Sequence, residues 1–319
     1  MYSINIIMKL DIKSIHSEHH HYGWSNKNEP KAIIKNEQLI ELETIDSSGG
    51  QLNNLSTIED IKNLDFSKVN PVTGPLYIEN SEPGDTIEIS IEKFETSGWG
   101  WTANIPGFGL LSDQFEEPAI NIWKYDKSNP VDSLFSNFAS IPLKPFVGTI
   151  GLAPKEEGVL SVVPPRNFGG NLDIKEVYEG TKLYLPVQVS GGLLSLGDTH
   201  AAQGDGEVCG TAIESPMKVL IKTKLHKNKK IDSPFLETNH TPLLKKNIGS
   251  FITTGIGKDL YVASKEAVSR MIDYLTKNIK IKDIDAYMLC SVAGNLKISE
   301  IVDVPNWVVS FEISKSIFD

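Results

Sequence analysis

The feature that most constrains this chain is an acidic, glycine-rich segment enclosed by apolar strands. The segment covers residues 197–214, GDTHAAQGDGEVCGTAIE, and contains four glycines but neither lysine nor arginine. Its metal-competent side chains are Asp198, His200, Asp205, Glu207 and Glu214. Glycine lets the backbone turn sharply, so several of these donors can converge on one point. A divalent cation is the simplest group that would balance their charge.

Alternating apolar residues on both sides of this segment predict strands. The alternating positions are Leu183, Leu185, Val187 and Val189 before it, and Met217, Val219 and Ile221 after it. A solvated loop is the other interpretation of a stretch rich in Gly and Asp. A polar segment held between two core strands is, however, more typical of a rigid pocket.

Strand patterns dominate the whole chain, so we predict a mainly β fold with a small α+β part towards the C-terminus. The predicted strands are Ala32–Ile34, Leu39–Thr44, Thr86–Phe94, Phe146–Leu152, Lys182–Val189, Met217–Lys224 and Trp307–Ile313. The predicted helices are Asn54–Asn63, Lys265–Asn278 with Ser264 as N-cap, and Lys282–Cys290 with Ile284, Tyr287 and Met288 inward. We divide the chain into a mainly β region, 1–225, that carries the acidic cluster and an α+β region, 226–319, packed on it as part of one compact unit.

Composition excludes several functional classes. The 319 residues are 40% hydrophobic and carry a formal charge of -10, and HKNKK at 226–230 is the one basic cluster, so we expect no nucleic-acid partner. No apolar stretch approaches the roughly 20 residues that cross a bilayer, so we expect a cytoplasmic protein without a membrane partner. Two cysteines, Cys209 and Cys290, are too few for a four-thiolate zinc site and argue against a disulfide framework.

Blocks along nearly the whole chain resemble the acetamidase/formamidase family of amide hydrolases. The acidic segment with its flank 166–198 carries the resemblance, and further blocks agree with it in order. These blocks are HYGWSNKNEP from His21, ETIDSSGGQ from Glu43, NPVTGPLYIENSEPGDTIEI from Asn70, PFVGTIGLAP from Pro145 and SVAGNLKISEIVDVPNW from Ser291. The resemblance implies a β-sandwich or barrel-like architecture, a bound divalent metal, a homo-oligomer, and hydrolysis of a short aliphatic amide such as formamide or acetamide.

Metal chemistry suits this reaction because an amide carbonyl is a poor electrophile. A metal ion lowers the pKa of a bound water to about 7 and polarises the carbonyl, and a catalytic site uses roughly three protein ligands. His200 with carboxylates suits zinc, manganese or iron, of which we expect zinc. An all-oxygen set drawn from Asp205, Glu207 and Glu214 suits calcium or magnesium, so an additional calcium ion is a second expectation.

Ligands and catalytic groups follow from spacing and from the resemblance. We expect Asp198 and His200 to be ligands, because a D-x-H spacing at a strand end puts both side chains on one side. Asp46, which follows a predicted strand, is the expected third ligand, and His21 is a fourth candidate unless its histidine run is an exposed turn. Glu207 and Glu214 are then free to act as general base and general acid, or Asp205 and Glu207 hold a second, structural cation, and spacing alone leaves both open. Asn171 and Gln203 are candidate hydrogen-bond donors to the oxyanion.

Three alternatives accompany this interpretation. Cys209 could be a nucleophile, although its small neighbours favour a packed side chain. A bulkier or cyclic amide could be the substrate, since the aromatic-rich stretch 99–108 could line a larger pocket. A non-catalytic metal-stabilised binding protein is the third, suggested by Asn295, where the family pattern leads us to expect an acid.

Overall fold

Strands dominate the computed structural model, which describes residues 12–135, 139–239 and 249–318. The strands are β1 Ile12–Ile15, β2 His20–His21, β3 Gly23–Trp24, β4 Ala32–Ile34, β5 Leu39–Glu43, β6 Val72–Ile78, β7 Thr86–Thr96, β8 Trp99–Asn104, β9 Ala119–Lys124, β10 Asp132–Phe135, β11 Ala139–Pro142, β12 Phe146–Gly151, β13 Leu160–Ser161, β14 Gly169–Asn171, β15 Lys182–Pro186, β16 Leu194–His200, β17 Met217–His226, β18 Phe235–Glu237, β19 Ser250–Gly257, β20 Gly294–Glu300 and β21 Trp307–Ser314. The mainly β prediction is therefore confirmed.

Helices are few. They are α1 Ile58–Lys62, α2 Leu260–Tyr274 and α3 Asp283–Ala293, with a π-helical turn over Leu275–Ile279 and 3-10 turns over Phe66–Lys68 and Lys315–Ile317. Among the described residues, none of these helices has the length and apolar character needed to cross a membrane.

Two large sheets pack face to face around one core. The larger sheet has nine strands in the order β1-β5-β17-β7-β15-β18-β19-β21-β20, and the smaller has β14-β12-β16-β6-β2 with β4 beside β6. One buried cluster takes side chains from both sheets, including Ile89 of β7 and Leu196 of β16. The sheets form a sandwich and do not close into a barrel, which resolves the two predicted forms.

The C-terminal region continues the larger sheet. Strand β17 crosses the predicted boundary at residue 225, and β15 pairs antiparallel with β18, so both regions contribute to the same sheet. Helices α2 and α3 cover the far end of this sheet, where Ala267, Met271 and Phe311 are buried in a second cluster.

Two local helix predictions are wrong. The N-cap of α2 is Asp259, whose side chain accepts a hydrogen bond from Val262 N, whereas Ser264 lies inside the helix and donates to the Leu260 carbonyl. In α3 the buried face carries Ala286 and Cys290. The three residues predicted inward are all exposed, namely Ile284, Tyr287 and Met288. Small side chains let α3 approach its neighbours closely, which turns the larger apolar ones outward.

Candidate active site

The candidate site begins where strand β16 ends. All seven residues of β16 are buried, and the strand lies between β12 and β6. Asp198 and His200 are two positions apart on this strand, and Oδ1 of Asp198 lies 3.0 Å from Nε2 of His200. The D-x-H spacing therefore brings the two side chains together, as the strand period predicts.

Two groups of possible metal ligands share His200. One contains Asp198, His200 and Glu214, the other contains Asp173, His200 and Glu207, and the ligand atoms of each group lie within 4.8 Å of one another. Nε2 of His200 is 3.1 Å from Oε2 of Glu214. Nδ1 of the same ring is 3.9 Å from Oδ1 of Asp173. All five residues are buried.

Neighbouring side chains hold the first group in place. Oε1 of Gln203 lies 2.9 Å from Nδ1 of His200, while Nε2 of Gln203 donates to the Asp173 carbonyl at 3.0 Å. The Ser47 hydroxyl donates to Oε2 of Glu214 at 2.7 Å. The imidazole ring is therefore fixed from both of its nitrogen atoms, as in many metal-binding histidines.

A further acidic layer lies behind these groups. The Asn171 amide donates to Asp303, and its oxygen contacts the hydroxyl of Thr149. Oε1 of Glu300 accepts the backbone N–H groups of Val302 and Asp303. These contacts bring the loop between β20 and β21 against the strand β14, so residues far apart in sequence complete the site.

Burial and mutual repulsion shift the pKa of most of these groups. Burial lowers the pKa of His200, but Glu214 and Asp198 outweigh that effect and hold it well above its usual range. Burial, reinforced by Asp198, raises the pKa of Asp173 well above normal, and burial with Asp173 does the same for Glu207. One imidazolium thus faces more carboxylates than it can neutralise.

The backbone is strained at three of the acidic positions. Asp173, Asp198 and Glu207 have φ values of 45°, 49° and 47°. This left-handed region is uncommon for residues other than glycine, and such residues cluster at functional sites. Asp198 belongs to one of the two groups that share His200, and Asp173 and Glu207 belong to the other.

A divalent metal fits this arrangement. Both carboxylate oxygens of Asp173 are buried and have no hydrogen-bond partner among the described residues. An unpartnered buried carboxylate is costly unless a cation compensates it. In the other group, Nε2 of His200 lies 3.0 Å from Oδ1 of Asp198 and 3.1 Å from Oε2 of Glu214. One imidazole with carboxylate oxygens is a donor set that zinc, manganese or iron accepts.

A pocket of about 170 Å³ opens above the acidic residues. Its polar wall includes Asp198, Glu207 and Glu214. Its apolar wall consists of Leu64, Phe66, Val69, Trp101, Ile105, Phe108 and Val163. Of the predicted aromatic-rich stretch 99–108, Trp101, Ile105 and Phe108 line this pocket, and Trp99 is not among its lining residues. A small ligand would meet carboxylates on one side and apolar side chains on the other.

Asp46 lies beside the two ligand groups and outside them. Its Oδ1 accepts hydrogen bonds from the Ser48 backbone and hydroxyl and, at 2.9 Å, from Nε1 of Trp101. Burial raises the pKa of Asp46 despite these donors. The carboxylate therefore fixes the loop after β5 and the pocket wall at Trp101.

His21 and Asp205 also lie outside the two groups. Nε2 of His21 lies 2.8 Å from the Ser195 hydroxyl, and burial lowers the pKa of this histidine to about 4. Asp205 accepts from the ammonium of Lys175 at 2.7 Å and is partly exposed. His21 thus contacts β16 from β2, across the intervening strand β6. Asp205 ties the acidic segment to the loop that carries Asp173.

Sequence reasoning missed Asp173, Glu300 and Asp303. Asp173 stands two residues after Asn171 in the block GGNLDIKE, so the same i, i+2 spacing that selected Asp198 and His200 could have indicated it. Glu300 ends β20 and Asp303 follows it, 86 and 89 residues beyond Glu214 at the end of the acidic segment, and only the tertiary fold brings them near.

Two of the alternatives rest on single residues, the cysteine nucleophile on Cys209 and the non-catalytic protein on Asn295. The Cys209 thiol lies 3.4 Å from the Thr211 carbonyl and 3.9 Å from the Ala103 carbonyl. Asn295 is exposed on β20 and pairs in register with Glu312. The first observation agrees with a packed cysteine, and the second places Asn295 on a surface strand.

Sequence similarity to a known protein family extends over all the residues of the candidate site. A model of the acetamidase/formamidase family matches residues 9–162 and 156–319. The formamidase of Methylophilus methylotrophus is 29% identical over 361 aligned positions, which cover 90% of this chain and 86% of that protein.

Solved structures share the architecture. The acetamidase from Bacillus halodurans has a TM-score of 0.86 at 31% identity, covering 96% of this chain and 98% of that one. The gamma lactamase from Delftia acidovorans has a TM-score of 0.67 at 25% identity, covering 95% and 90%. The fold around the pocket is thus shared with enzymes whose names refer to amide and lactam substrates.

Proposed function

This chain belongs to the acetamidase/formamidase family, and from that premise we propose that its acidic pocket hydrolyses the C–N bond of a short linear amide, releasing a carboxylate and ammonia. The observation that carries the proposal is His200, buried between Asp198 and Glu214, both of which line the pocket. The relatives named formamidase and acetamidase support the assignment of an amidohydrolase acting on linear amides.

Asp198, His200 and Glu214 would hold a divalent metal, for which we propose zinc. We favour this group over the one with Asp173 because Gln203 already occupies Nδ1 of His200. Such an ion supplies a Lewis acid that polarises an amide carbonyl and makes a water acidic. An additional calcium ion at Asp205 and Glu207 would have to displace Lys175 from Asp205, so we propose a single ion.

Glu207 is the proton carrier in this proposal. It lines the pocket, and burial raises its pKa, so its carboxyl can both accept and return a proton. One carboxylate oxygen takes the proton of the attacking water as the new C–O bond forms. The same proton then passes to the nitrogen as the C–N bond breaks, and ammonia leaves.

Asn171 is the proposed donor to the substrate oxygen. It lines the pocket, and one of its two amide hydrogens is committed to Asp303, which leaves the other available. Gln203, by contrast, uses its oxygen and an N–H to hold His200 and the Asp173 backbone. We therefore assign Gln203 a positioning role.

We also propose that the protein is a cytoplasmic homo-oligomer. Cys209 and Cys290 are both free thiols, which a reducing compartment maintains. Support for assembly is the family membership, since the resemblance to that family implies a homo-oligomer.

Ammonia release tests the proposed function. Purified protein is assayed with formamide, acetamide, propionamide and a five-membered lactam, before and after chelation, with elemental analysis of the same sample. We expect release from linear amides that chelation abolishes and zinc restores. Activity confined to the lactam would transfer the assignment to cyclic amides, and activity that survives complete metal removal would contradict the metal proposal.

A further inference from the structure

Helix α3 turns an apolar face towards solvent. Ile284, Tyr287, Met288 and Val292 are spaced along one side of the helix and are 57%, 58%, 56% and 83% exposed. A helix that covers a core normally presents polar residues on its outer side. Here the outer side is apolar as well, so it is suited to contact with a second protein surface.

Strand β20 extends this face. It follows α3 directly and forms the edge of the nine-stranded sheet. Its exposed residues Leu296 and Ile298 pair in register with Phe311 and Val309, which lie under α2 and α3. Residues directly opposite one another in an antiparallel pair share a face of the sheet. Leu296 and Ile298 therefore lie on the same face as α3, and we call the six exposed side chains the α3–β20 surface.

Charge indicates which partner fits. The ten residues 287–296, YMLCSVAGNL, contain no charged side chain, whereas the chain as a whole is 23% charged with a net charge of -10. Two copies of so acidic a protein repel each other wherever carboxylates face carboxylates. Four of the six side chains of this surface lie in that uncharged stretch, and Ile284 lies between Asp283 and Asp285. Two copies can meet at the uncharged part without that cost, while a strongly basic partner would gain nothing from it.

The size of the surface also suits self-association. Its six side chains expose on the order of 700 Å², near the roughly 800 Å² that each partner contributes to a standard stable interface. An exposed apolar edge strand is normally covered because it otherwise promotes aggregation. We propose that a second copy of this chain covers the α3–β20 surface, an inference that rests on the homo-oligomer proposed above.

The test is the mass of the protein in solution, measured by light scattering. The wild type should have a multiple of the 35.2 kDa chain mass. Met288→Asp/Val292→Asp, which places carboxylates in the contact, should reduce the mass to that of one chain. Met288→Leu/Val292→Ile and Leu55→Asp are matched controls and should keep the wild-type mass, since Leu55 is 82% exposed elsewhere.

Each outcome decides the inference. A monomeric wild type would overturn both the oligomer and the surface. An oligomeric wild type whose mass the double variant leaves unchanged would overturn only the proposal that the α3–β20 surface forms the contact.

If the double variant does not fold, two other measurements decide: the mass of the Val292→Asp variant alone, and amide hydrogen exchange of residues 283–300. We expect weaker association from the variant and stronger protection in the wild-type assembly than in diluted protein. Unchanged association and protection would overturn the surface. Ammonia release is scored separately, so failure of the amidase proposal remains distinguishable.

Discussion

Oε1 of Gln203 lies 2.9 Å from Nδ1 of His200, on the side of the ring away from Asp198 and Glu214. This contact leaves Nε2 as the ring nitrogen that faces the two carboxylates. Gln203, which is not among the residues that line the pocket, thus fixes which ring nitrogen of His200 faces the two carboxylates.

We expect Gln203→Ala to lower kcat/KM for acetamide by about 10- to 100-fold, because the freed ring can rotate and bind metal less well. Steady-state kinetics and metal content of the same samples check this. Gln188→Ala is the matched control, since Gln188 accepts a backbone N–H from Lys155 at an exposed position. Unchanged kinetics in Gln203→Ala would remove its positioning role.

Glu207→Gln should lower kcat by about 10²- to 10⁴-fold, because the amide cannot carry the proton. Its Tm should not fall, since a neutral side chain relieves the repulsion between Glu207 and Asp173. The exposed Glu179→Gln serves as control for both measurements. A variant that kept wild-type kcat would show that another group moves the proton.

Phe108→Ala should widen the range of substrates. Phe108 lines the apolar wall and packs against Gly210, where an added Cβ would collide with its ring. We expect the ratio of kcat/KM for pentanamide to that for acetamide to rise about tenfold. Phe115→Ala, at a position 59% exposed, should leave the ratio unchanged. An unaltered ratio in Phe108→Ala would place the acyl group elsewhere in the pocket.

Cys209→Ala should retain activity within about twofold, because the thiol contacts backbone carbonyls and performs no chemistry in the proposed mechanism. His200→Ala in the same assay provides the inactive reference. A loss of about 10³-fold in kcat for Cys209→Ala would instead support a cysteine nucleophile.

Asp85→Asn should destabilise the protein at pH 7 more than at pH 3. Burial raises the pKa of Asp85, but the Lys227 ammonium at 2.6 Å and the Asn228 and Glu82 amides outweigh it and leave the pKa below its usual value. A depressed folded-state pKa contributes stability above the unfolded value, near 3.9, and this is lost as the pH falls through the folded value.

Calorimetry at both pH values checks this effect of Asp85→Asn on the Tm. The exposed Asp232→Asn should show no comparable gap. A Tm difference that persisted at pH 3 would mean that packing, and not charge, accounts for the role of Asp85.

Sequence patterns over a few neighbouring residues predicted those features of the fold and site that depend on neighbouring residues alone. Alternation located β15, but β16, which carries Asp198 and His200, is not among the predicted strands. The i, i+2 spacing nevertheless predicted that Asp198 meets His200. The block resemblance is confirmed over nearly the whole chain by the family match. The contribution of Asp303 could not be found this way, because its approach to Asn171 spans 132 positions and depends on how two sheets pack.

Helix α3 shows a second limit of prediction from the sequence. A period of 3.6 residues reveals which positions share a face, but it does not reveal what covers that face. Ile284 and Met288 were therefore predicted inward, while the structure buries Ala286 and Cys290. Asp46 as a metal ligand stays a prediction, because its Oδ1 accepts a hydrogen bond from Nε1 of Trp101 and its carboxylate lies outside the two groups of possible ligands.

The loop after β20 has a consequence for how the protein is made. Gly206 donates its N–H to the carbonyl of Ser299, and Asp303 meets Asn171, so late residues close over carboxylates that the ribosome adds about a hundred residues earlier. A growing chain therefore presents Asp198, Glu207 and Glu214 to water before it can enclose them. Assembly of the pocket is a late event of biosynthesis, and a chain halted before β20 would carry the acids of the site without their enclosure.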